Sequence, residues 1–364
     1  MTQHGTGIEW THIPGYTGES WNPIVGCSVI SPGCTNCYAM RFAGQRLDGN
    51  PNTPQYRGTT EPSKVGPVWT GKVNIAREAK LDEPLRWTKP RAVFVNSMGD
   101  LFHEHVPRSW IDRVFAVMAL CPQHIFIILT KRAARMADYL RHHRERVWRE
   151  ADLLACERGL AENHPSSSYL MAGKANAPEC LPHIWLGVSV EDQIRANQRI
   201  PALLSTPAAI RFVSAEPLLG PVDISGMDLS VMLGRERRAL EPHHHFNALA
   251  GETDIDPVHG AEPGWPGLDW VIAGGESGKG ARPMHPEWVR SLRDQCQKTA
   301  TPFFFKQWGD WSPEPPDGAT GEERRCAFPD QVGLKYFRRI GKKKAGCLLD
   351  GVTHHNWPAI GGAS

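Results

Sequence analysis

A series of short apolar runs constrains this chain more than any other feature. Each run is stopped by polar or glycine residues, and most lead into an amphipathic segment. Ala92–Met98 precedes Gly-Asp and a helical pattern from Pro107 to Leu120, in which Trp110, Val114, Val117 and Met118 share one face. Pro107 suits the first turn of such a helix. His124–Thr130 leads into Lys-Arg and a further helix. Ile184–Val190 leads into Glu-Asp and a helix whose apolar face is expected to include Ile194 and Ile200. Ile210–Ala215 ends in Glu-Pro, and Asp269–Ala273 ends in Gly-Gly-Glu-Ser-Gly. Pro286 then opens a helix with Trp288, Leu292 and Cys296 at i, i+4 and i+8, and Pro302–Phe305 ends in Lys-Gln-Trp-Gly.

Strands buried on both faces read as unbroken apolar runs, because helices cover them. Strands alternating with helices imply parallel pairing. Six such strands follow the first cysteine cluster, and Trp21–Gly26 is a candidate for one before it. The expectation is an α/β fold, a partial (β/α)6-7 barrel, with a doubly wound sheet as the competing arrangement. Two loop-rich segments, about 141–181 and 220–267, read as insertions into a domain of residues 1–311. A Pro-rich then basic extension occupies 312–364.

The formal charge of +2, from 41 basic and 39 acidic residues, excludes a protein that coats a polyanion with its whole surface but not a local basic patch. No apolar run approaches the roughly 18 residues of a membrane span, and the first residues lack a basic segment followed by an apolar core. Nine cysteines with no short-domain disulfide pattern suit a reducing, cytoplasmic setting, where clustered Cys read as metal ligands.

The sharpest motif is Gly26-Cys27-Ser-Val-Ile-Ser-Pro-Gly-Cys34-Thr-Asn-Cys37-Tyr38. Iron–sulfur clusters are normally held by one thiolate per iron. Three thiolates on a [4Fe-4S] cluster leave one iron open, which radical-SAM chemistry uses to bind S-adenosylmethionine and cleave it to a 5′-deoxyadenosyl radical. The second spacing matches the usual C-x3-C-x2-C of that chemistry, and the first, six residues, does not. Zinc remains open, with Cys34, Cys37, Cys180 and His183 as a conceivable tetrahedral set, as does a Cys34–Cys37 redox pair.

A second constellation falls at strand ends, where β/α barrels carry their sites. It comprises Asp100, Lys131, Arg132, Glu191, Glu216, Glu276, Ser277 and Lys306. Gly274-Gly275 could bring backbone N–H groups close to an anion or adenosyl group. The His243–His245 run reads as a solvated loop. Trp10, Trp21, Trp265, Trp308 and Trp311 read first as core, with base stacking as the alternative.

Further stretches carry a family resemblance: Gly7–Thr11, Trp21–Cys27, Ser31–Ala39, Ser97–Phe102, Leu129–Arg132, Trp185–Glu191, Ser214–Leu218, Gly274–Ser277, Phe304–Gly309 and Gly341–Gly346. Together they resemble the phage-associated three-Cys-motif family of uncharacterised radical-SAM-like proteins, in which the six-residue gap is the regular pattern. The resemblance implies a barrel of radical-SAM type, a [4Fe-4S] cluster on Cys27, Cys34 and Cys37, and S-adenosylmethionine at the strand ends. Asp100, Ser189, Glu191, Gly274, Gly275 and Glu276 are then the cofactor-binding candidates, and Lys131, Glu216 and Lys306 the catalytic ones. It further implies a reductant such as flavodoxin or ferredoxin and, by analogy with spore photoproduct lyase-like enzymes, a DNA, RNA or nucleotide substrate. Two other readings stand beside it: a zinc-stabilised nucleic-acid-binding or scaffold protein without catalysis, and a hydrolase using the strand-end carboxylates with a divalent metal.

Overall fold

The computed structural model describes residues 5–160, 180–228, 244–254, 265–328 and 334–360. Seven strands form the main sheet: β1 (Thr17–Trp21), β2 (Arg91–Val95), β3 (Ile125–Thr130), β4 (Ile184–Ser189), β5 (Ile210–Ala215), β6 (Trp270–Gly274) and β7 (Phe303–Gln307). They lie in the sheet in the order in which they occur in the chain. The pairs β1/β2, β2/β3, β5/β6 and β6/β7 run parallel. A doubly wound sheet reverses its strand order at a switch point, and this order contains none. The winding is that of a partial β/α barrel.

The chain divides into two compact units, Met1–Gly187 with Thr206–Ile210, and Val188–Ser205 with Arg211–Ser364. In the first, α1 (Arg108–Ala119), α2 (Ala133–Arg141) and α3 (Arg144–Glu157) follow β2 and β3. Val93, Ile127, Val114, Val117 and Met136 are buried, as strands covered by helices require. The strand before β2 is Thr17–Trp21, not Trp21–Gly26. Ile24–Val25 instead pairs antiparallel with Asn74–Ile75 in a ladder of its own. α3 occupies the start of the first expected insertion, and residues 161–179 lie outside the described residues.

In the second unit, α4 (Gln193–Leu204) begins at Asp192, whose carboxylate accepts the Arg195 N–H at 2.9 Å, a standard N-cap. Its buried face carries Ala196, Ile200 and Leu203. Ile194 is exposed, contrary to the expectation, because it lies on the opposite side of the helix. α5 (Pro286–Lys298) buries Trp288, Leu292 and Cys296 as the spacing predicts. Within the second insertion, Met227–Asp228, His245–Asn247 and Glu252–Thr253 form a small antiparallel sheet. His244 faces Asp254 at 3.3 Å, and His243 lies outside the described residues.

The segment after 311 belongs to this same unit. Trp311–Ser312, Glu322–Ala327 and Leu334–Arg339 make a three-stranded sheet. Farther on, the chain returns along β7. The Phe305 N–H donates to the His354 carbonyl at 2.7 Å, the Asn356 N–H to Phe303 at 3.2 Å, and the His355 ring stacks flat on Phe304 at 4.4 Å. The return covers the free edge of the sheet, which would otherwise invite another strand.

Candidate functional site

In the first unit, local turns assemble the three cysteines. Gly26, at φ 94°, lets the chain leave the Ile24–Val25 ladder. A Cβ there would fall 2.1 Å from the Lys72 carbonyl oxygen, so only glycine fits. The Gly71 N–H holds the Cys27 carbonyl at 3.1 Å. Pro32–Cys34 forms a 3-10 turn, the Cys37 N–H donates to the Cys34 carbonyl at 3.2 Å, and Cys37 starts a short helix, Tyr38–Phe42. Cys27 and Cys37 both pack on a small separate core of Val25, Ala39, Met40, Ala43, Tyr56, Trp69 and Met98.

Burial pushes the Cys27 thiol up to about 12; Asp100 adds to this and Arg132 opposes it. Cys37 is also raised, chiefly by burial, with Cys34 adding to it and Lys131 opposing it. Cys37 is thus within electrostatic reach of both other cysteines. Cys34 is buried, with its sulfur 3.6 Å from the Ser31 hydroxyl. Among the described residues no three His, Cys, Asp or Glu side chains form a preformed metal-binding set. The donor chemistry nevertheless fits an iron–sulfur centre: burial disfavours the thiolates of Cys27 and Cys37 despite the nearby Arg132 and Lys131, and a metal ion would offset that cost.

Beside Cys27 lies a polar network built from the ends of β2 and β3. Asp100 accepts the Thr130 hydroxyl at 2.7 Å, the N–H groups of Phe102 and Lys131 at 3.0 and 3.2 Å, and Arg132 Nη1 at 3.0 Å. Thr130 in turn receives the Arg132 N–H at 2.9 Å, which fixes the turn into α2. Arg132 also donates from Nε to Glu104 at 2.6 Å and from Nη1 to Cys27 Sγ at 3.6 Å. Its remaining nitrogen, Nη2, is buried with no partner among the described residues. Arg91, Arg146 and Arg338 each keep one such nitrogen as well. Arg132 holds Glu104 down to about 2 against the opposing effect of burial.

Sequence reasoning missed His103, which is fully buried and pushed down to about 4 by burial and then by Arg132. Its Nδ1 accepts the His105 N–H at 3.1 Å, which places the ring proton on Nε2. Nε2 therefore donates to the Ser28 hydroxyl at 2.6 Å, and Ser28 faces Glu104 at 3.4 Å. Ser28 and His103 stand 75 positions apart, and no local pattern announces their meeting.

The strand ends of the second unit carry the other candidates. Glu191 is fully buried against Arg199 Nη1 at 2.8 Å, and the same nitrogen donates to the Ser189 carbonyl at 2.7 Å. Glu216 pairs with Lys306 at 3.2 Å. Glu276 takes a two-pronged contact from Arg282, Nε at 2.8 Å and Nη2 at 2.7 Å. Gly274 and Gly275 serve close packing within the protein. A Cβ at Gly275 would fall 2.0 Å from the Trp308 carbonyl oxygen, and one at Gly274 would meet Glu216 Oε1 at 2.6 Å. In the first unit, His183, the conceivable zinc ligand, gives its Nε2 to the Met118 carbonyl at 2.9 Å and is buried near Phe126.

Fold and site together define a singly wound α/β protein that carries a three-thiol loop and an arginine-centred polar network at its strand ends. The chain belongs to the family described as Protein of unknown function (DUF5131), which matches residues 5–358. No curated protein and no solved structure matches it. No helix among the described residues is long and apolar enough to cross a membrane.

Proposed function

We propose that this protein is a radical S-adenosylmethionine enzyme whose Cys27, Cys34 and Cys37 hold a [4Fe-4S] cluster, and that its substrate is a nucleic acid or nucleotide. The observation that carries the reading is Arg132. A guanidinium whose side chain is 8% exposed sits 3.6 Å from a cysteine sulfur and keeps one nitrogen unpartnered among the described residues. A buried, unpartnered donor is costly. An anionic, thiolate-ligated centre is the kind of acceptor that removes that cost, because N–H groups around ligating sulfurs set a cluster's charge balance.

Cys27, Cys34 and Cys37 would hold the cluster, which would supply one-electron reduction of S-adenosylmethionine, the electron coming from an external reductant, to give methionine and a 5′-deoxyadenosyl radical for hydrogen abstraction from the substrate. The chain's own residues prepare the position. Asp100 and Glu104 fix the guanidinium from two sides, and Lys131 places a second positive charge within reach of Cys37. His103, neutral and buried, holds Ser28 next to Cys27. In the second unit, Glu191, Glu216 and Glu276 are each tied to a cation of that unit, which argues against a hydrolase needing free carboxylates for a divalent metal.

The test is anaerobic reconstitution with iron and sulfide, followed by reduction with S-adenosylmethionine present. The expected result is a brown protein that releases 5′-deoxyadenosine, with Cys34→Ala losing both colour and product. One bound zinc without iron or sulfide, or product undiminished in the Cys34 variant, overturns the assignment.

A further inference from the structure

The segment from Cys27 to Arg77 differs in charge from the rest of the chain. It holds six basic residues, Arg41, Arg46, Arg57, Lys64, Lys72 and Arg77, and two acidic ones, Asp48 and Glu61. Its net charge is +4 against +2 for the whole protein, so the remaining residues carry −2. None of the six is ion-paired among the described residues. Arg41 donates to Asn36, and Lys72 donates to the Arg57 carbonyl. Elsewhere arginines are commonly neutralised, as Arg132, Arg199, Arg282 and Arg290 are. A cationic stretch without internal carboxylate partners presents its charge outward.

The same segment exposes apolar rings. Tyr38 and Phe42 lie at i and i+4 of the helix that follows Cys37, and they are 58% and 50% exposed. The Tyr38 hydroxyl donates to the Ser97 carbonyl at 2.8 Å, which fixes the ring's edge. Val29 and Ile30, inside the three-Cys loop, are exposed as well. A hairpin of Thr60–Ser63 and Gly66–Trp69, with Lys64 in its turn, packs against the same helix. Unpaired cations interleaved with exposed rings are the pattern that single-stranded nucleic acids meet: phosphates find the charge and unstacked bases find the rings.

We infer that the face formed by residues 27–77 binds a single-stranded nucleic acid, with Tyr38 and Phe42 stacking on bases and Arg46, Arg57, Lys64 and Lys72 contacting phosphates. This deepens the reading above by naming the substrate class, and it rests on that reading only in taking the three-Cys loop as the reacting end. A duplex hides its base faces and cannot use the rings, so single strands bind more tightly than the same sequence as a duplex.

The experiment uses the full chain and a fluorescein-labelled DNA or RNA strand of about 20 nucleotides, long enough for such a face, read by anisotropy over a range of salt concentrations. Log affinity should fall linearly with log salt, by roughly 0.7 per phosphate neutralised on a single strand. Tyr38→Ala with Phe42→Ala should weaken binding at least about tenfold, because each removes a base–ring stack, with the salt slope unchanged. Arg57→Glu with Lys72→Glu should make the slope shallower. All four positions are exposed, and retained circular dichroism confirms folding. No measurable binding by the wild type overturns the inference. So does duplex bound as tightly as single strand with the ring variants unaffected, or a dimer that the ring variants dissociate in the absence of oligonucleotide binding. Cys34→Ala separates the two proposals: oligonucleotide binding retained with no 5′-deoxyadenosine from either protein refutes the chemistry alone, and product without binding refutes this surface alone.

Discussion

Replacing Arg132 by Met tests whether the guanidinium is what holds the first unit's strand-end network together. The Arg132–Asp100 pair is 3.0 Å long, with side chains 8% and 6% exposed. Removing one partner of a buried pair leaves the other charge uncompensated, at a cost of about 3–5 kcal/mol. The same arginine also pairs with Glu104, whose side chain is half exposed, and such pairs contribute roughly 0–1 kcal/mol. Arg132→Met should therefore lower the unfolding temperature by about 6–20 °C, at roughly 2–4 °C per kcal/mol for a unit of this size. Glu104→Gln should lower it by no more than a few degrees. Adding Asp100→Asn to Arg132→Met should recover part of the loss, giving a coupling of about 0.5–3 kcal/mol in the double-mutant cycle. A second readout needs no unfolding. Arg132 opposes the raising of Cys27 by burial and Asp100, so its loss should slow alkylation of that thiol by iodoacetamide. Thermal unfolding by near-ultraviolet circular dichroism and mass-spectrometric mapping of the alkylated cysteine give the two measurements. If Arg132→Met destabilises no more than Glu104→Gln, or Cys27 alkylates faster, the guanidinium does not anchor this site.

Two further outcomes follow from the geometry. His183, pushed down from 6.5 to about 4 by burial, binds its proton in the unfolded chain before the folded one. The stability it contributes is intact above about pH 6.5 and is lost as pH falls toward 4, about 2 kcal/mol of it by roughly pH 5; urea unfolding should show this loss, and His183→Gln should reduce it by that amount while His103 and His124, pushed down to about 4 as well, keep the remainder. Gly275→Ala drives a Cβ into the Trp308 carbonyl and should cost at least about 1–3 kcal/mol, whereas Gly274→Ala meets only the movable end of Glu216 and should cost less. Soluble yield and urea midpoints of the two alanine variants give the comparison, and equal costs would contradict the assigned packing.

Why some of this was legible in the sequence and some was not has a physical basis. β2 through β7 were readable because strands covered on both faces become unbroken apolar runs, such as Val93–Val95 and Ile125–Ile128. β1 was not, because Thr17–Trp21 lies at the sheet edge and pairs with β2 alone, which leaves Thr17, Glu19 and Ser20 polar and partly exposed. Strand order depends on which elements meet, and no local pattern encodes it. Acidic residues at strand ends were visible for the same reason as the strands, but their partners were only partly so. Arg199 and Arg282 follow their carboxylates by eight and six positions, whereas Lys306 lies 90 positions from Glu216.

The pairing of those residues narrows where chemistry can sit. A carboxylate at a strand end invites assignment as a base or a ligand, yet here four of them, Asp100, Glu191, Glu216 and Glu276, each hold a cation of their own unit. Asp100, Glu191 and Glu276 tie down the segment that follows their strand, and Glu216 ties the end of β5 to Lys306 of β7, structural roles that strand-end position alone would equally produce. What separates the first unit is an imbalance. Of the four partner cations, Arg132 is the one with a buried nitrogen left over among the described residues, and it is the one that touches a cysteine sulfur. The unpartnered atom is Nη2, while Nη1 of the same guanidinium lies 3.6 Å from the Cys27 sulfur, and an anionic group bound there would offer that donor an acceptor. That asymmetry, rather than the number of polar strand ends, is the physical basis on which the proposed function assigns its centre to the three-Cys loop.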